Sequence, residues 1–316
     1  MTQIFRMEIP VPFPVETVNV FLVKGETLTL IDTGTNTDDA WNALVQQMGR
    51  IGHHPREIEN VVITHHHADH CGLLDRLPRD IPVIGHPWNE PWVTQSPELL
   101  KSYQQFFAEL GAQMGIPEAF MRKGPSLTRT LAYSCRRSLT HSVREGDHID
   151  ALPGFTVLET PGHASTHIAL YREEDGLFIG GDVLLRHISS NPLLEPPCHG
   201  ETERAKPLLQ YNDTLRRLGD MPVLRVLAGH GPDVTEVRPL VQERLHKQEQ
   251  RAQKVWHMLR EHPMTAFEVC RELFPALYQK QLALTLSETV GQLDVLQYNQ
   301  QVSIDTSGPH WVYHTR

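Results

Sequence analysis

The segment from Asn60 to His70, NVVITHHHADH, constrains this chain more than any other. Its β-branched run predicts a buried strand, and that strand runs directly into four potential metal ligands, His65, His67, Asp69 and His70. Residues two apart in an extended segment point the same way, so His65 and His67 can chelate one ion. A helix start beyond them turns Asp69 and His70 aside, where a second ion can sit. In a chain of 316 residues with 19 histidines, the pattern arises by chance in roughly 0.3% of shuffled sequences. A plain surface histidine cluster is therefore rejected.

Three further ligand candidates share one local context, a turn directly after a strand. They are His163 in Thr160-Pro161-Gly162-His163, Asp182 in Gly180-Gly181-Asp182 and His230 in Gly229-His230-Gly231. Glycine beside each lets the backbone approach closely. The surrounding texture alternates strands and helices. Val18, Val20 and Leu22 alternate within 17–34, Thr37 caps a helix over 40–48, and strands are expected at 60–64, 82–85, 146–147, 155–159, 167–171, 177–182 and 223–227. This points to a layered α/β architecture. About residues 88–140 the pattern changes to helix, opened by Ser96-Pro97-Glu98, with a second piece over 117–122. The aromatic and methionine side chains there (Trp88, Trp92, Tyr103, Phe106, Phe107, Met114, Phe120, Met121) read as a cap on the core or as the wall of an apolar pocket.

The ordered series LIDTG, THHHADH, TPGH, GGD and GHG resembles the metallo-β-lactamase fold superfamily over about residues 15–235. The resemblance implies an α/β fold, a four-layer αβ/βα sandwich with the metal site at one edge between two sheets. It assigns His65, His67 and His163 to one metal, Asp69, His70 and His230 to a second, and Asp182 to both, with Asp69 and Asp182 as the catalytic carboxylates. Asp32 of LIDTG and His167 would lie beneath the ligands and orient them. His66 is not a ligand position in the family, and His67 separates the chain from the flavodiiron type, which has glutamate there.

Two dications clamped by one carboxylate would bring a shared water to a pKa near neutrality, and its hydroxide would attack a carbonyl. Nitrogen and oxygen ligands without thiolate favour two Zn2+ per chain and admit Mn2+, Fe2+ or Co2+. The expected function is a binuclear zinc-dependent hydrolase of a small, partly hydrophobic acyl substrate such as a thioester, lactone or ester. The alternatives are a phosphodiesterase or ribonuclease on the same metals, a mononuclear iron persulfide dioxygenase, and a non-catalytic metal-responsive DNA-binding protein.

Residues 1–236 form the expected catalytic domain, with the helical insertion inside it. Residues 237–316 read as three helices and a closing hairpin, a small winged-helix-like domain similar to the tail of the β-lactamase-like protein 2 branch, some members of which cleave RNA. Charge argues against that use here. The tail carries nine Lys/Arg against eight Asp/Glu, its last helix over about 281–299 has no Lys or Arg, and the chain is −9 overall. Phosphate contacts supply most nucleic-acid affinity, so nucleic acid is not the expected partner; packing or homodimerisation through the tail or insertion is. No apolar run of membrane length exists. Cys71, Cys135, Cys198 and Cys270 stand apart without a CxxC pair, and residues 1–16 lack a signal-peptide core. Both features lead to a cytoplasmic expectation.

Overall fold

The computed structural model describes residues 2–121, 127–197 and 201–316. The amino-terminal part builds one six-stranded sheet in the order β1 (Gln3–Pro10), β2 (Thr17–Lys24), β3 (Leu28–Ile31), β4 (Asn60–Val62), β5 (Val83–Gly85) and β6 (His141–Ser142). The first three strands pair antiparallel and the last three join in parallel. A four-stranded sheet follows from β7 (Phe155–Glu159), β8 (Ile168–Arg172), β9 (Leu177–Gly181) and β10 (Arg225–Ala228), with β10 parallel to β9. The helices are α1 (Asp38–Arg50), α2 (Ala68–Cys71), α3 (Glu90–Val93), α4 (Pro97–Gln113), α5 (Glu118–Met121), α6 (Leu127–Leu131), α7 (Pro207–Asp220), α8 (Val237–Glu261), α9 (Ala266–Leu273) and α10 (Leu282–Tyr298).

Strand pleating sorts the side chains into layers. In β2, Val18, Val20 and Leu22 face α1, packing with Ala40, Leu44 and Met48. Phe21 and Val23 face the other way, meeting Val157, Leu170 and Ile179 of the second sheet. The far side of that sheet, Ala169, Phe178 and Val226, is covered by Tyr211 and Leu215 of α7 and by Val237 and Val241 of α8. Helix, sheet, sheet and helix are thus stacked in that order, the αβ/βα sandwich expected from the sequence. Both faces of β2 are buried, which is why its apolar run is nearly continuous rather than strictly alternating.

Two local differences have physical causes. The strand expected at 146–147 is a turn, because Gly146 adopts a positive φ of 83° and Asp147 N–H bonds back to Arg144 O; the strand is His141–Ser142 instead. The edge strand β1 was not among the expected elements, since few of its side chains are buried and its pattern is irregular.

The insertion joins the carboxy-terminal region rather than standing alone. Ser96 caps α4 by accepting Leu99 N–H at 3.1 Å, and Leu110 and Met114 of α4 and its end enter one core with Val255, Leu259, Val269, Val290 and Leu293. Backbone N–H groups of Phe267 and Trp311 bond to Met114 O and Gln113 O. The tail contains a small sheet of β11 (Met264–Thr265), β12 (Val302–Asp305) and β13 (Val312–Thr315), with β13 central. Its last helix, α10, packs against α7, α8 and α9, and residues 285–294 are buried throughout. A Cβ on Gly291 would come 2.7 Å from Leu208 Cβ, so α10 lies hard against α7. The helix that would have to enter a nucleic-acid groove is inside the molecule. No described helix is long and apolar enough to cross a membrane. Cys71, Cys135 and Cys270 are buried free thiols, and Cys198 lies outside the described residues, as does Arg122 at the end of the second expected helical piece.

Candidate metal centre

All seven side chains singled out as ligands come together at one edge of the sandwich. Each sits just past a strand: His65, His67, Asp69 and His70 after β4 and on α2, His163 after β7, Asp182 after β9 and His230 after β10. Their side-chain nitrogen and oxygen atoms fall into interlocking sets, each within 4.8 Å: His65, His67 and His163; Asp69, His70 and His230; and His65, His70 and Asp182.

The hydrogen bonds fix which ring nitrogen each histidine presents. His65 Nδ1 lies 3.0 Å from Thr64 Oγ1, whose own proton goes to Asp32 Oδ2 at 2.8 Å, so His65 donates from Nδ1. His70 Nδ1 donates to Asp32 Oδ2 at 2.8 Å, His163 Nδ1 to Asn191 O at 2.9 Å and His230 Nδ1 to Thr17 O at 2.6 Å. With Nδ1 protonated in all four rings, their Nε2 lone pairs are left pointing inward. His67 is turned the other way: its Nδ1 lies 2.9 Å from His65 Nε2 and 3.0 Å from His163 Nε2. These separations are close to the edge lengths of a tetrahedron whose centre lies about 2.0–2.1 Å from each ligand atom.

Asp182 stands between the two halves. Its Oδ2 is 3.4 Å from His163 Nε2 and 3.3 Å from His230 Nε2, and its Oδ1 is 3.6 Å from His70 Nε2. Asp69 Oδ2 is 3.4 Å from His230 Nε2. Yet His70 Nε2 and Asp182 Oδ1 are buried with no hydrogen-bond partner. Leaving such atoms unpaired costs about 1–3 kcal/mol each, a cost that a cation between them removes. The donor set and its orphaned atoms therefore fit bound divalent metal.

The backbone makes room for this convergence. A Cβ on Gly229 would lie 2.3 Å from Asp182 Oδ1, so only glycine lets β10 end beside that carboxylate. Asp32 holds a positive φ of 59° at the end of β3, a strained conformation that aims its carboxylate at Thr64 N–H, Thr64 Oγ1–H and His70 Nδ1–H. His167 is not a ligand. Its Nε2 accepts Asp182 N–H at 3.0 Å, which leaves the proton on Nδ1 to donate to Thr160 Oγ1 at 2.8 Å. The loop carrying His230 is tied across to the first sheet by Asn19, whose Nδ2 donates to Ala228 O and Gly231 O.

Electrostatics divide the site in two. Burial holds His65, His67 and His163 below the ordinary imidazole value, and neighbouring histidines add to the effect at His65 and His67. They are neutral and ready as ligands. Burial also opposes charge on His70 and His230, but Asp32, Asp182 and Asp69 outweigh it at His70, and Asp182 and Asp69 push His230 up to about 10. Asp69 and Asp182 are correspondingly lowered, against the effect of burial, by His70 and His230. Excess negative charge in this half attracts protons when no metal ion competes for it.

Glu195, which carried no sequence signal, and Trp92, one of the aromatics expected in the cap or pocket wall, complete the surroundings. The Glu195 side chain is 9% exposed; its Oε2 accepts Ser165 N–H at 3.1 Å, and its Oε1, without a hydrogen-bond partner, lies 3.5 Å from His66 Nε2. Burial raises its carboxyl to about 7. Trp92 stacks on His66 at 4.0 Å, and Tyr103 meets Trp92 edge-on. Glu195 is a lone acid in a proline-rich loop, and nothing local marks it. A cleft of about 740 Å³ lies between Lys101, Arg204 and Trp311 and includes none of the seven residues.

Residues 14–230 match the metallo-β-lactamase superfamily; the chain belongs to it. It is 46% identical over 300 residues to the Bacillus subtilis protein named probable metallo-hydrolase YqjP, covering 95% of this chain and 94% of that protein. A β-lactamase-like protein 2 homolog of Caenorhabditis elegans is 24% identical, over 84% of this chain and 73% of its own. The crystal structure of a metallo-β-lactamase family protein from Thermus thermophilus superposes with a TM-score of 0.83 at 27% identity, over 99% of this chain and 98% of that one.

Proposed function

We propose that the protein is a binuclear metal-dependent hydrolase of small acyl substrates, a thioester, lactone or ester, with zinc as its metal. The observation that carries this reading is the pair of orphaned buried atoms, His70 Nε2 and Asp182 Oδ1, inside a ring of lone pairs already freed by Nδ1 hydrogen bonds. The name of the Bacillus relative, a metallo-hydrolase, supports the class.

His65, His67 and His163 would hold one cation, Asp69, His70 and His230 the other, and Asp182 both. Bound there, two such ions supply a water of pKa about 7 and a Lewis acid for a carbonyl oxygen. The chain's own groups do the rest. Asp182 is kept in place by His167 and by the close approach of Gly229. Asp69 is the more open carboxylate, 12% exposed against 7% for Asp182, and it orients the attacking water by hydrogen bonding. The buried α10 and the neutral tail weigh against a nucleic-acid substrate, and we read residues 237–316 as a winged-helix-like packing domain.

Elemental analysis of the purified protein, followed by acyl and phosphodiester panels on the same sample, tests the proposal. Two zinc ions per chain with acyl turnover are expected, and Asp182→Ala or His163→Ala should lose both metal and activity. Full activity in metal-free variants, turnover confined to RNA or cyclic nucleotides, or one iron per chain with oxygen uptake would each overturn it.

A further inference from the structure

Four of the five candidate ligand histidines pass their outer N–H to a partner: His65 to Thr64 Oγ1, His70 to Asp32, His163 to Asn191 O and His230 to Thr17 O. His67 is the exception. Its Nδ1 is the nitrogen that faces His65 Nε2 and His163 Nε2, at 2.9 and 3.0 Å. A ring that gives its Nδ1 lone pair to a cation carries its proton on Nε2. Metal-ligating histidines almost always hand that outer proton to a carboxylate, a carbonyl or water. Among the described residues, His67 Nε2 makes no hydrogen bond.

The same surroundings hold a carboxylate oxygen with the opposite need. Glu195 Oε1 is buried and accepts nothing. One donor atom each of Glu195, His66 and His67 lie within 4.8 Å of one another. An unpaired carboxylate oxygen and an unpaired imidazole N–H are thus neighbours, and pairing them satisfies both. The carboxylate is fastened beside His67 from two directions. Its Oε2 accepts Ser165 N–H, and the adjacent Thr166 Oγ1 lies 2.9 Å from Nδ1 of His66, whose ring stacks on Trp92. Ser165 and Thr166 belong to the loop that carries His163, and Asn191, four residues before Glu195, accepts the His163 Nδ1 proton. The segments that place His163 therefore also place Glu195.

We propose that Glu195 is the positioning residue of His67: its Oε1 accepts the His67 Nε2–H when Nδ1 holds a cation, with His66 Nε2 on its other side. The proposal rests on the metal-centre reading and not on the choice of substrate. Such a hydrogen bond fixes the ring's orientation and raises the basicity of its ligand nitrogen. Its loss weakens the cation assigned to His65, His67 and His163 and spares the one assigned to Asp69, His70 and His230. A separate third cation on His66, His67 and Glu195 is the competing use of these atoms. It would require His67 to give up its Nε2 proton and stand as an imidazolate between two ions, and it would add a third dication beside two others.

The test compares the zinc-loaded wild type with Glu195→Gln and Glu195→Ala by chelator competition and by proton and nitrogen magnetic resonance of the imidazole groups. In the wild type, His67 shows a slowly exchanging, downfield-shifted Nε2–H signal. Glu195→Gln keeps the shape, but its one oxygen is taken by Ser165 N–H, so an amide nitrogen faces the His67 N–H. Both variants should lose the shifted signal and about 10–100-fold in affinity for one ion. They should hold the second ion as tightly as the wild type does, which a general folding defect would not allow. An unmoved His67 signal with wild-type affinity for both ions would overturn the role. Three ions in the wild type against two in the variants would overturn it as well, in favour of a cation site. A wild type that takes up no divalent ion removes the metal centre and this role with it. The substrate reading fails separately: a protein that binds two ions, shows these shifts and turns over no acyl compound keeps the role of Glu195 and loses the acyl hydrolase.

Discussion

His167 Nε2 accepts the backbone N–H of Asp182 at 3.0 Å. An imidazole thus anchors the main chain of the carboxylate that stands between both halves of the site. Burial keeps His167 neutral, at about 3, so the acceptor lone pair persists over the working pH range. His167→Leu removes the acceptor and leaves Asp182 N–H buried and unpaired. Metal affinity should fall about 10–100-fold, the usual effect of losing such a support, with the fold intact. Metal retained after dialysis against a graded chelator series measures this; retention equal to the wild type would assign His167 to packing alone.

Asp32 decides a tautomer. Its Oδ2 takes the Nδ1 proton of His70 at 2.8 Å and so frees His70 Nε2. Asp32→Asn keeps the shape and suits the positive φ of 59°, since asparagine tolerates that region. With its amide nitrogen facing His70, however, the ring must accept at Nδ1 and carry its proton on Nε2, where a ligand lone pair is needed. The variant should fold with an unchanged circular dichroism spectrum and bind one metal per chain instead of two. Two metals in the variant would show that His70 is not held by this hydrogen bond.

These two residues also show what was legible in the sequence. The candidate ligands could be read because each sits in a short motif at the end of a strand; spacing fixes direction for His65 and His67, and the resemblance carried by the ordered series assigned the rest. A layered α/β architecture was legible through β-branched runs such as Val61-Val62-Ile63, and the αβ/βα sandwich was implied by the family resemblance. Glu195 was not legible, because it reaches His66 only through folding of distant segments; Trp92 was read as a cap or pocket-wall residue, and only its stacking on His66 was hidden. The fate of α10 was hidden too. Leu282, Leu286, Val290 and Leu293 mark one apolar face, which leaves Glu288, Gln292 and Asp294 looking like a solvent face. The structure buries that face as well, pairing Glu288 with Arg251, Gln292 with Gln248, and Asp294 with Arg204.

Glu195 gives the molecule a pH dependence that can be signed. Burial raises its carboxyl to about 7 from an ordinary 4.5, with the Ser165 hydrogen bonds opposing. The folded state therefore holds this proton more tightly than the unfolded one. Its contribution is fully favourable below about pH 4.5 and is lost as pH rises through about 7. A gap of 2.5 (7 − 4.5) at about 1.4 kcal/mol per unit puts the loss on the order of 3 kcal/mol. Glu195→Gln still accepts Ser165 N–H but does not titrate. Urea unfolding of chelator-treated protein at pH 5 and pH 8 should show the variant losing less stability than the wild type between the two. Equal losses would mean that the carboxylate is solvated or paired in solution.

Arg204 and Asp294 bind the chain between the two helical regions. The guanidinium makes two hydrogen bonds, 2.7 Å to Oδ2 and 2.6 Å to Oδ1, and the Asp294 side chain is only 4% exposed. Removing one partner strands a charge inside the protein, which costs about 3–5 kcal/mol, whereas replacing both with apolar groups of similar volume is often neutral. Arg204→Ala should accordingly lower the unfolding free energy by an amount in that range, and Arg204→Met with Asp294→Leu should recover most of it. Unfolding curves measured on the wild type and the two variants check this. A double variant as unstable as the single one would mean that the pair holds α10 by its geometry and not by cancelling a buried charge.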